Sequence, residues 1–138
     1  QVKIKVIIPQ LCTFNFAFYV PMVDIVFATP PLAMSERYGA LAPGGSKLPP
    51  LGLALLASIV RGKGFSTSIV DAEVLNLTTP EAARKILDHN PSWIGITAVT
   101  MSVHNALHLA ETIKTMAPQV STILGGVHLT ALPQLTME

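Results

Sequence analysis

The sequence predicts an α/β fold built on a parallel sheet, and two observations predict it. From Met22 onward, short β-forming runs alternate with helical windows of about ten or more residues, the length that a crossover between parallel strands needs. Charged residues make up 12% of the chain and hydrophobic ones 50%, so much of it must be buried on both faces of something. Connections of this kind read as right-handed βαβ units.

The elements follow in order. "VDIVFAT" (23–29) is a buried strand that ends at Pro30-Pro31. "LAMSERYGALAPGGSKLPP" (32–50) reads as a long irregular segment, and such loops in compact domains are usually functional or disordered. A first long helix starts near Pro50 and runs to about Arg61, with Gly62 or Gly64 as its stop. It is apolar nearly all round, which predicts that two of its faces are covered. "STSIVDA" (66–72) is the second strand. "TTPEAARKILDHN" (78–90) opens with Thr-x-x-Glu and a proline in the first turn, the signature of a capped helix. "SWIGITAV" (92–99) is the third strand, "SVHNALHLAETIKTMAP" (102–118) a helix closed by Pro118, and "VSTILGG" (120–126) the fourth strand.

The 138 residues are enough for one domain with one core. A formal net charge of +1 gives no electrostatic footprint for nucleic acid or an acidic membrane surface. The longest nearly unbroken apolar run, "LGLALLASIV" (51–60), is too short to span a bilayer. A single cysteine, Cys12, excludes an internal disulfide and any multi-cysteine zinc or iron–sulfur site built from these residues alone. A reducing, cytoplasmic setting is the expectation. Residues 1–21 differ in character from the rest, and we expect them to be a non-native N-terminal extension, with the natural protein beginning at Met22.

Ligands of parallel sheets bind at the carboxyl ends of the strands. There the unusual residues collect: Thr29-Pro30-Pro31, Asp71, Thr97 to Met101, and Gly125 to Thr130. No GxGxxG joins the first strand to the first long helix, and no P-loop lysine motif is present. Asp71 fits a turn cap better than a ribose ligand. His104, His108 and Glu111 share a helix face at a spacing able to hold zinc. The apolar stripe of that helix runs through Val103, Ala106 or Leu107, Ala110, Ile113 and Ala117, so the histidines are expected on a solvated face. No nucleophile elbow and no catalytic triad can be traced. Gly125-Gly126 either permits a tight exit from the strand or lets a bulky ligand approach the backbone, and the sequence leaves both readings open.

The stretch from about 23 to 137 resembles the N-terminal cobalamin-binding domain of B12-binding radical SAM proteins, which include anaerobic magnesium-protoporphyrin monomethyl ester cyclases and many methyltransferases. The resemblance is carried by "FATPP", "LPPLGLALLASIVRGKGF", "SIVDA", "PSWIGITAVTMSVHNALHLAETIK" and "ILGGVHLTALP", in that order. It implies a flavodoxin-like, Rossmann-type three-layer sandwich, its fifth strand missing or replaced. The corrin then lies over the strand ends and the nucleotide tail threads into the sheet edge. "TAV" (97–99) stands in the place of the family's SxL motif, and Gly125-Gly126 in that of its GG motif. After the first strand the chain reads "TPPLAMSERYG", without the DxHxxG histidine that supplies a lower cobalt ligand.

The resemblance therefore implies a cobalamin-binding module with no catalytic residue and no protein metal ligand of its own. Its implied cofactor-binding residues are Thr29, Pro30, Pro31, Leu51, Gly52, Thr97, Val99, Thr100, Met101, Gly125, Gly126, Val127, His128 and Thr130. His128 is expected to be a loop residue near the cofactor rather than a cobalt ligand. The [4Fe–4S] cluster and S-adenosylmethionine belong to a downstream radical SAM domain, whose CxxxCxxC triplet is not within these residues. Residues 22–138 are expected to be the binding module cut before that domain, unable alone to catalyse the parent's methyl transfer or ring cyclisation. Two alternatives from other classes are a cobalamin-free docking domain of the same fold and a nucleotide- or flavin-binding domain using Asp71.

Overall fold

The structure, a computed structural model, describes residues 22–133. The expected extension at residues 1–21 lies outside the described residues. Four strands form one parallel sheet: β1 (Ile25–Thr29), β2 (Thr67–Asp71), β3 (Trp93–Thr97) and β4 (Ser121–Gly125), in the order β2-β1-β3-β4. The helices are α1 (Met34–Tyr38), α2 (Leu51–Gly62), α3 (Thr79–Leu87), α4 (Val103–Met116) and α5 (Val127–Ala131). This is the α/β sandwich of flavodoxin-like type that the sequence predicts.

Side-chain alternation along the strands divides the core in two. Val26, Ala28, Val70, Ile94 and Ile96 face α3 and α4, where they meet Ala82, Ala83, Ile86, Val103, Ala106, Leu109 and Ile113. The opposite face carries a much smaller cluster, in which Phe27 packs with Leu53 and Ala57 of α2. α3 begins as its sequence predicts: Thr78 N and Oγ1 both donate to Glu81 Oε2, at 2.8 and 2.7 Å. Those two bonds hold the Glu81 carboxyl below its usual range.

Several expectations are corrected. α2 is covered on one face and not on two: Leu53 and Ala57 are buried, while Leu51, Leu55, Leu56 and Ile59 stay exposed. The reason is that α2 packs on β2 and β1, and among the described residues nothing lies beyond it. The 32–50 segment is not irregular throughout but contains α1 and a 3-10 turn, Gly39–Gly44. Two contacts anchor it across the β2–α3 turn, an Arg37 Nη2–Glu73 Oε2 ion pair of 2.8 Å and a Lys47 Nζ bond to the Glu73 carbonyl at 2.6 Å. α4 is preceded by a 3-10 turn over Thr100–Ser102, and its buried stripe includes Leu109, which the periodic pattern passed over. His104 and His108 are exposed on α4. Finally, the residues after β4 form the short helix α5 instead of a loop, so His128 sits in a helical turn.

The two histidines and Leu109 make a direct contrast. Leu109→Ala is expected to cost about 2–5 kcal/mol by cavity formation, whereas His104→Ala and His108→Ala should each stay within ~0.5 kcal/mol. Urea unfolding of the three variants measures the difference.

Candidate functional site

Parallel pairing brings the side chains facing α2 into rows. Asp71 pairs with Thr29, and Thr97 with Gly125, at the carboxyl ends of the strands. The next row down is Ile69, Phe27, Gly95 and Ile123. Because α2 covers only β2 and β1, the half of this face made by β3 and β4 is open. Glycines at 95 and 125 leave a hollow there instead of a ridge. The result is a cleft of about 360 Å³ between the amino end of α2 and the β3–β4 half of the sheet. Its walls are Pro50, Gly52, Leu53 and Leu56 on the helix side. On the sheet side they are Phe27, Gly95, Ile96 and Thr97, with Val99, Gly125, Gly126 and Val127 at the strand exits. No charged side chain lines it.

The two adjacent glycines do different jobs. Gly126 has φ +106°, and a Cβ there would lie 2.5 Å from the Ala98 carbonyl oxygen and 2.8 Å from its nitrogen. It is the tight exit, a place where only glycine fits. A Cβ on Gly125 would meet nothing within 4 Å. Packing does not demand this second glycine, and its bare backbone opens into the cleft. Gly52, across the cleft, is equally free of steric demand.

Of the residues expected from the sequence, the structure gathers Gly52, Thr97, Val99, Gly125, Gly126 and Val127 around the cleft. The others fall elsewhere. Thr29 Oγ1 donates to Asp71 Oδ1 at 2.8 Å, and the same oxygen accepts the Val74 amide at 3.1 Å. Asp71 is thus the turn cap that its position predicted. Pro30 and Pro31 are buried, with the Pro31 carbonyl accepting from Asn105 Nδ2 at 2.7 Å. Leu51 and Met101 are exposed. Thr100 Oγ1 and His128 Nδ1 are 3.1 Å apart, and Thr130 Oγ1 donates to the Gly126 carbonyl at 3.0 Å. These last three brace the strand exit and do not line the cleft.

Sequence reasoning missed Phe27, Pro50, Leu53, Leu56, Gly95 and Ile96. Gly95 carried a readable signal, since a glycine inside a strand marks a close approach. The others look like ordinary core residues until the uncovered half of the sheet is seen. Among the described residues no group of three histidine, cysteine, aspartate or glutamate side chains is placed to hold a metal ion. Likewise, no described helix is long and apolar enough to cross a membrane.

Residues 39–138 match the B12 binding domain family. The chain is 39% identical over 94 residues to an uncharacterized methyltransferase of Pyrococcus horikoshii, a stretch covering 68% of this chain and 20% of that protein. It is 32% identical over 101 residues to the anaerobic magnesium-protoporphyrin IX monomethyl ester cyclase of Rubrivivax gelatinosus, covering 69% of this chain and 18% of that protein. The chain thus spans about a fifth of the length of these relatives. No solved structure matches it.

The glycine pair separates fold from site. Gly126→Ala is expected to destabilise the chain by roughly 2 kcal/mol or more, because a left-handed residue gains a clash with backbone. Gly125→Ala should leave the melting temperature within about 2 °C. Thermal unfolding followed by circular dichroism distinguishes them.

Proposed function

The chain belongs to the B12-binding domain family, whose cofactor is cobalamin, and from that premise we propose that the cleft between α2 and β3–β4 seats the cofactor's nucleotide tail. One observation carries the reading. Gly125, which packing leaves free to be any small residue, opens bare backbone into an apolar slot at the carboxyl end of the sheet. The slot is concave and apolar, with few polar groups, as small-molecule sites generally are. Thr97 offers a hydroxyl at its rim. The amino end of α2 at Pro50–Leu53 brings the partial positive charge of a helix start to the mouth, where a phosphodiester is favoured. Together these residues fit the tail.

In this reading the chain's own work is binding and orientation. Thr97 and the Gly125 backbone would hold the tail, Val99 and Val127 would border the mouth, and the strand exits that carry Pro31, Met101 and Thr130 would support the corrin. Bound cobalamin supplies the alkyl-transfer and redox chemistry of its cobalt, and the protein supplies position and shielding. His128, paired with Thr100, supports the exit turn beside the cofactor.

The methyltransferase and cyclase names of the relatives, and their greater length, support placing this module in a larger B12-dependent enzyme, which this reading takes to be of the radical SAM type. The cluster and S-adenosylmethionine would be bound by that enzyme's other domain. A second reading, a docking domain that has lost cobalamin, draws on the exposed Leu51, Leu55, Leu56 and Ile59 of α2. Exposed apolar area of this kind marks contact surfaces.

Titration of the folded chain with hydroxocobalamin decides between them. The cofactor reading expects a saturable spectral change at micromolar concentration that Gly125→Leu abolishes while the far-UV spectrum is retained. A folded chain that leaves the cobalamin spectrum unchanged would support the docking reading.

A further inference from the structure

Phe27 occupies a singular place on the open face. In its row the neighbour on β3 is Gly95, and beyond that comes Ile123, half exposed. A Cβ on Gly95 would lie 2.9 Å from Phe27 Cδ1 and 3.2 Å from its Cε1. The phenyl ring therefore leans off its own strand and takes the space that a side chain at 95 would fill. Leu53 and Ala57 of α2 hold it from the other side. Phe27 is 9% exposed and lines the cleft.

This packing gives the slot an aromatic floor. Two residues of strand separate the Thr97–Gly125 rim from the Phe27–Gly95 row, a depth of about 7 Å. A flat heteroaromatic group entering past Gly125 meets the ring at that depth, and offset or edge-on contact between aromatic groups is favourable beyond the area it buries. Aliphatic residues line the rest of the slot and offer shape without that preference.

We propose that the Phe27 ring, laid over Gly95, is the specificity-determining contact for the aromatic base at the end of the cofactor tail. The assignment rests on the cobalamin reading given above. It makes the pair a selector for corrinoids that carry a nucleotide base over those that lack one.

The test compares hydroxocobalamin with cobinamide, which has the corrin but no nucleotide. Binding to the full chain is followed by quenching of Trp93, the chain's single tryptophan, one pleat below Gly95 on the same face. The unaltered chain is expected to prefer cobalamin. Phe27→Leu, which keeps apolar volume but removes the ring, should reduce that preference about tenfold through cobalamin alone. Gly95→Ala, which displaces the ring, should do the same, so that either folded variant suffices. Equal binding of both corrinoids by the unaltered chain would overturn the proposal and leave the cobalamin reading standing. So would an unchanged preference in a folded variant. If the unaltered chain binds neither corrinoid, the cobalamin reading falls, and the proposal falls with it.

Discussion

Ala98 and the turn that follows β4 are laced together backbone to backbone, and the site depends on that contact. The Ala98 amide donates to the Gly125 carbonyl at 2.8 Å, and the His128 amide donates to the Ala98 carbonyl at 3.3 Å. Gly126 passes between these bonds with a positive φ, so close to Ala98 that no side chain fits. The exit of β4 is thereby pinned to the exit of β3. Thr97 and Gly125 face the cleft side by side because of it, and the Thr100–His128 contact extends the brace one turn further. Were this turn to relax, the rim of the slot would lose its shape without any change in the core.

The second constraint is the unequal covering of the sheet. α3 and α4 seal one face with a continuous core, in which Ile86, Ile94, Ile96, Leu109 and Ile113 are fully buried. That face supplies the stability. On the other face α2 reaches only β2 and β1, which leaves β3 and β4 to present Gly95, Ile123 and Gly125. The strap of residues 34–49 is held over the β2 end by Arg37, Lys47 and their bonds to the Glu73 region, and its root is tied to α4 through Asn105 and Pro31. Among the described residues, the β2 side of the sheet is thus closed by the chain itself, and the β3–β4 side is left open.

Much of this was legible in the sequence, for physical reasons. Strand and helix periods placed every strand within two residues, because a parallel sheet demands buried β-forming runs and long connections. The Thr78–Glu81 cap was readable because its chemistry is local. Residues 97–99 and the glycine pair pointed to the carboxyl end of the sheet, where Thr97, Val99, Gly125 and Gly126 line the cleft. Other features depend on what fails to pack, which no periodicity encodes. The all-round apolarity of α2 predicted burial on two faces, but the structure buries Leu53 and Ala57 and exposes Leu55 and Ile59. The two glycines could not be told apart from sequence, since Gly126 is defined by Ala98, on a different strand exit. Phe27 reads as core, and only its lean over Gly95 brings it to the floor of the cleft.

The central claim, that cobalamin enters the slot between α2 and β3–β4, is tested most directly by backbone amide shifts in the labelled chain during titration with hydroxocobalamin. The account predicts saturable shifts at Gly52, Gly95, Thr97, Gly125 and Val127, with Ala82, Ala83 and Ala106 on the sealed face unmoved. Shifts centred on α3 and α4, or a spectrum unchanged at saturating cobalamin, would contradict it.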